Sequence, residues 1–151
     1  MTTEQYKEIL KLAIDNEIEA YEFYLNAAQK SKTDNLKTTF NELAEEELNH
    51  KRTLEGFLNN ETKQMQFQET TDYKIAESSD LPQLTPEMSF ADGIMLAIKK
   101  EQEAMEMYSN FAEVSLDDAQ KQMFIQLANM EQGHKTKLED LYSNTAYTEV
   151  W

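Results

Sequence analysis

Apolar residues recur at three- and four-residue steps in four separate stretches of the chain, the spacing of one buried face of an α-helix. The first stripe is Leu10, Ala13, Ile14, Tyr21, Tyr24 and Ala28. The second is Leu36, Phe40, Leu43, Ala44, Leu54 and Phe57. Ile94, Ala97, Ile98, Met105, Tyr108 and Phe111 form the third, and Phe124, Leu127, Ala128, Leu138 and Leu141 the fourth. Start signals fit this division. Thr2 or Thr3 can cap a first helix running to about Lys30, and Ser31 with Asp34 resembles a capping box for the second. Ser89 with Asp92, and Ser115 with Asp118, mark the third and fourth in the same way. The expected architecture is all-α: a four-helix bundle of two hairpins, residues 3–58 and 89–142, in one domain spanning 1–151. The polar stretch 59–88 holds both prolines, Pro82 and Pro86, and has no clear period. A link this long is uncommon in a compact domain. It is explained if it carries the chain along the bundle before the second pair of helices, and part of it can be a short helix.

The two hairpins are copies of each other. Residues 13–24 read AIDNEIEAYEFY and residues 97–108 read AIKKEQEAMEMY, an offset of 97 − 13 = 84. Carried without a gap from 13 to 55, that offset gives 20 identities in 43 positions, against roughly 3 expected from ordinary residue usage.

The repeat preserves six polar residues inside the apolar stripes: Glu17, Glu47 and His50 in one half, Glu101, Glu131 and His134 in the other. Glu47 and His50 are three residues apart and share a helix face, as do Glu131 and His134. Four carboxylates buried together without compensation would be costly and would take up protons. Two divalent cations balance their charge, and two neutral imidazoles fill further coordination positions. A Glu from each of two helices plus Glu-x-x-His from each of the other two is the ligand set of the ferritin-like di-iron and di-manganese carboxylate proteins. Its oxygen-rich character favours iron, with manganese possible, over structural zinc. One Glu-x-x-His is weak evidence in so acidic a chain. Two in phase, each 30 residues after a lone Glu and together using both histidines of the sequence, are specific.

Neighbouring residues are assigned more ordinary places. Glu19 lies about 200° around the helix from Glu17 and is expected in solvent. In the run Glu45-Glu46-Glu47 only Glu47 is expected inward, since Glu46 has Met130 as its repeat counterpart. Met105, Met107, Met123 and Met130 are read as core filler. Tyr24 and Tyr108 each follow the lone Glu by seven residues on the same face. Their phenols can hydrogen-bond a ligating carboxylate or simply pack. Gly133, inside the second Glu-x-x-His, is costly in a helix and suggests close approach of a neighbour.

Composition narrows the functional classes. With 14 Lys+Arg against 29 Asp+Glu the net charge is −15 and the pI near 4.4, which argues against nucleic acid and anionic membranes as partners. The absence of cysteine excludes disulfides, thiolate zinc, Fe–S clusters and a cysteine nucleophile within this sequence. No apolar run approaches the roughly 18 residues of a membrane span. The opening MTTEQYKEIL lacks the basic and apolar regions of a secretory signal, so a soluble cytoplasmic protein is expected.

EIEAYEFY around Glu17, FNELAEEELNH ending at His50, EQEAMEMY around Glu101 and FIQLANMEQGH ending at His134 resemble the rubrerythrin-like branch of the ferritin-like superfamily. The likeness covers about residues 5–58 and 88–142. It implies Glu47 and Glu131 as ligands bridging two iron ions, Glu17 and His50 as terminal ligands of one, and Glu101 and His134 of the other. It also implies a homodimer, with exchange of hairpins compatible with the long link. Two departures stand out. Rubrerythrins proper carry a Cys-rich rubredoxin domain, whereas here electrons must come from a separate donor. They also carry an additional carboxylate one turn after the third-helix Glu, where this chain has Ala104, with Ala20 as its counterpart.

The expected function is therefore an oxidoreductase in oxidative-stress defence. It would reduce hydrogen peroxide, or dioxygen, at a Glu4His2 pair of irons cycling between di-ferrous and di-ferric states. An iron-binding or ferroxidase-type iron-handling protein is the alternative, and a helical interaction domain with a structural metal is a third.

Overall fold

The computed structural model describes residues 2–59, 66–68 and 80–145. Each of the four apolar stripes lies on a helix: α1 Thr3–Lys30, α2 Asp34–Asn59, α3 Phe90–Val114 and α4 Asp118–Thr145. α1 packs on α2 and α3 on α4, as two hairpins. The fold is an all-α four-helix bundle, and among the described residues no helix is long and apolar enough to cross a membrane. α4 continues three residues beyond the expected end at 142.

Local chemistry sets the helix ends. Thr2 caps α1 through a full capping box in which its hydroxyl accepts from Gln5 N and the Gln5 side chain accepts from Thr2 N. Ser89 caps α3 by accepting from Asp92 N. The other two serines act differently from expectation. Ser31 closes α1, its hydroxyl donating to Ala27 O, and Ser115 closes α3 by donating to Phe111 O. The following helices take their caps two residues later. Thr33 Oγ1 accepts from Leu36 N, and Asp117 Oδ2 accepts from Gln120 N. The tight turn needs a terminator and an initiator, and the serine serves as the first.

Two apolar clusters lie at opposite ends of the bundle, with the polar residues between them. One gathers Phe23, Tyr24, Phe40, Leu43, Phe90, Ile94 and Leu138 around the α1–α2 turn. The other gathers Tyr6, Leu10, Leu54, Phe111, Phe124 and Leu127 around the α3–α4 turn. The link touches both. Phe67 is buried in the second cluster, 4.5 Å from Tyr6 ring to ring, and Gln68 N donates to Val114 O. Leu84 is buried in the first. The described parts of the link thus meet both clusters; residues 60–65 and 69–79, where a short helix could also fall, lie outside the described residues. Gly93, not Gly133, marks a close approach: a Cβ at Gly93 would lie 2.8 Å from Phe23, whereas one at Gly133 would meet nothing within 4 Å. Met130 is exposed rather than core filler, while Met105, Met107 and Met123 pack partly buried against the second cluster.

Candidate metal centre

The stripe of each helix turns polar at mid-length, and the bundle brings these positions together. Glu17 on α1, Glu47 and His50 on α2, Glu101 on α3, and Glu131 and His134 on α4 are all buried. They form two overlapping groups whose ligand atoms lie within 4.8 Å of one another. One group is Glu17, Glu47, His50 and Glu131; the other is Glu47, Glu101, Glu131 and His134. Glu47 and Glu131 belong to both, and each remaining pair belongs to one. Both imidazoles present Nδ1 to the carboxylates. His50 Nδ1 is 2.7 Å from Glu131 Oε1 and 3.8 Å from oxygens of Glu17 and Glu47. His134 Nδ1 is 2.7 Å from Glu47 Oε1 and 3.6 Å from Glu101 Oε1. The rings lie nearly parallel, 5.8 Å apart.

Two phenols brace this cluster across the repeat. Tyr24 on α1 donates to Glu101 Oε1 on α3 at 2.7 Å, and Tyr108 on α3 donates to Glu17 Oε1 on α1 at 2.5 Å. Burial and the nearby carboxylates push both tyrosines well above their ordinary range, so they remain protonated donors. Each half therefore orients the lone Glu of the other.

The electrostatics show a cluster short of positive charge. Burial, reinforced by Glu101, Glu131 and Glu17, raises the Glu47 carboxyl well above its usual range. Burial and the charges of Glu101 and Glu17 do the same for Glu131. Burial also pushes Glu101 upward, but hydrogen bonds from Glu131, His134 and Tyr24 outweigh it and bring it down to about 2. For His134, burial pulls downward and is overcome by Glu101 and Glu46, leaving the imidazole above its usual value. Glu17 Oε2 and Glu101 Oε2 are buried without a hydrogen-bond partner. Unpartnered buried carboxylate oxygens are costly. Hard cations are what oxygens so placed, with imidazole nitrogens beside them, are suited to hold, so the residues fit a metal pair.

Two acidic residues assigned to solvent stand elsewhere. Glu46 is 31% exposed and its Oε2 meets His134 Nε2. A helical wheel places it beside Glu47 and cannot show that the neighbouring helix presents an imidazole there. Glu19 is 13% exposed, pairs with Lys100 Nζ at 2.9 Å and accepts from Leu84 N. It ties α1 to α3 and to the link, a partner no periodicity could reveal.

A cleft of about 570 Å³ reaches the cluster between α1 and α3, lined by Leu12, Ala20, Tyr24, Lys100 and Ala104 among others. Glu17, Glu47, Glu101 and Glu131 all border it.

Comparison with known proteins agrees with this geometry. The family model described as rubrerythrin matches residues 8–142. Among solved structures, a hypothetical protein from Pyrococcus furiosus is 30% identical with a TM-score of 0.72, over 96% of this chain and 92% of that one. A putative ferritin-like diiron-carboxylate protein from Thermotoga maritima has a TM-score of 0.70 at 18% identity, over 93% of this chain and 94% of that one, a likeness of fold. No curated protein matches the sequence.

Proposed function

The chain belongs to the rubrerythrin family, and from that premise we propose that it is an oxidoreductase that reduces hydrogen peroxide at a pair of iron ions. The observation that carries the reading is the overlap of the two ligand groups at Glu47 and Glu131. Glu17 and His50 would complete one iron position, and Glu101 and His134 the other. When bound, the iron pair supplies two electrons, one per ion, which with two protons convert one hydrogen peroxide to two waters.

The chain's own residues do the rest. Glu47 and Glu131 hold the two positions together, and the four carboxylates match the charge of two divalent ions. Tyr24 and Tyr108 fix the rotamers of Glu101 and Glu17. The cleft between α1 and α3 gives a small oxidant a path to the carboxylates. Ala20 and Ala104 keep that path open, and Ala104 stands where other rubrerythrins place a further carboxylate, which leaves a six-ligand site. With no cysteine within these residues, re-reduction draws on a donor outside them. A homodimer belongs to the same reading and is supported by the resemblance.

Stopped-flow mixing of the di-ferrous protein with hydrogen peroxide tests the proposal. Oxidation much faster than with dioxygen alone is expected. Equal rates would refute peroxide reduction and favour iron handling.

A further inference from the structure

The two histidines are equivalent in sequence but not in hydrogen bonding. His134 Nε2 meets Glu46 Oε2, whereas His50 Nε2 is buried without a partner. The repeat explains the difference. The position related to Glu46 by 84 residues is Met130, a side chain with at most a weak acceptor, and it is 40% exposed.

A neutral imidazole carries one proton. For Nδ1 to offer its lone pair to a cation, that proton must sit on Nε2. At His134 the resulting Nε2–H donates to the Glu46 carboxylate, which also makes the ring more basic. At His50 the same tautomer leaves a buried N–H without an acceptor. The competing tautomer donates from Nδ1 in either ring, from His50 to Glu131 Oε1 and from His134 to Glu47 Oε1, each 2.7 Å away. Binding a cation gives up that hydrogen bond at both rings, but only His134 has an acceptor waiting at the far nitrogen. Glu46 also adds a carboxylate to the surroundings of one position only.

We propose that Glu46 is a positioning residue that holds His134 in the metal-ready tautomer, so that the Glu101–His134 position takes up a divalent cation first and more tightly than the Glu17–His50 position. This rests on the cluster being a metal centre, as proposed above.

Calorimetric titration of the metal-free full chain with Co²⁺ tests it, with a crystal structure at one equivalent of Co²⁺ as the site-resolved readout. Loss of such an outer partner typically weakens binding ~10–100-fold. The wild type should show two steps separated by at least ~10-fold. Glu46→Met, which copies the other half, should weaken the tighter step towards the looser one. Glu46→Gln, which keeps an acceptor, should restore part of the separation. The single equivalent of Co²⁺ should lie at Glu101–His134. A single equivalent at Glu17–His50, or an unchanged two-step isotherm in Glu46→Met, would overturn the proposal while leaving the metal centre standing. Absence of Co²⁺ binding in the wild type would overturn both readings.

Discussion

The first hairpin and the second place the same three ligand-type residues and the same tyrosine at the same helical positions, yet surround them differently. Glu17, Glu47, His50 and Tyr24 answer to Glu101, Glu131, His134 and Tyr108, and each tyrosine reaches across to the opposite Glu. Outside that set the copies diverge. Glu46 stands behind His134 while Met130 is exposed. Glu19 is anchored by Lys100 and Leu84 while its counterpart Glu103 is exposed. The lesson is one of constraint. Positions facing the shared charge cluster are bound by the electrostatics of four buried carboxylates, so both copies keep them. Positions one step further out answer to whichever neighbour packs there.

The comparison breaks most visibly at the residues common to both groups. Glu47→Ala or Glu131→Ala should lower metal content from roughly two ions per chain to near none, because either carboxylate belongs to both groups. His50→Ala or Glu17→Ala should leave about one, since the other group stays whole. Elemental analysis of purified protein decides this.

Metal removal and pH come next. Glu47 and Glu131 have carboxyls raised above their unfolded values, so the native state binds more protons than the unfolded state near neutrality. Their favourable contribution is full below the ordinary carboxylate range and is lost as pH rises through the raised values. Metal-free protein should therefore melt at a higher temperature at pH 5.5 than at pH 7.5. Glu101, at about 2, is ionised in both states across that window and does not oppose the trend. His134, raised from its usual value, acts in the same direction. Metal-loaded protein should show the reverse slope, because protons then compete with the ions. Replacing Glu47 and Glu131 together by Gln should flatten the metal-free curve, as calorimetry can measure.

A smaller effect sharpens the crossed bracing. Tyr24→Phe should weaken the Glu101 position and Tyr108→Phe the Glu17 position, each ~10-fold or more in Co²⁺ affinity. A loss confined to the tyrosine's own half would contradict the cross-repeat role. The smallest expected change is structural. Gly133→Ala should stabilise by about 1 kcal/mol, since the new Cβ meets nothing within 4 Å in a helix. Gly93→Ala should destabilise, because its Cβ would collide with Phe23. Urea midpoints of the two variants separate these outcomes.

The helices and the six-residue cluster were legible in the sequence because both are periodic. A polar residue at a stripe position is conspicuous, and the duplication repeats each one. Contacts between helices were not legible. Glu46 and Glu19 read as solvent-facing because a wheel shows one helix at a time, while their partners His134 and Lys100 lie on others. Ser31 and Ser115 read as initiators because an N-cap and a terminating serine have the same local signature, with the difference lying in which helix the hydroxyl meets. Phe67 carried no signal in a stretch without a period, yet it seats the link against Tyr6 and Phe111.

The central claim is that Glu47 and Glu131 are shared by two adjacent cation positions. Anomalous scattering from a crystal of the iron-loaded protein tests it directly. Two iron peaks are predicted, one beside Glu17 and His50 and the other beside Glu101 and His134, with both Glu47 and Glu131 touching each. A single peak, or ions bound at the acidic surface while the buried carboxylates pair only with one another, would contradict the account.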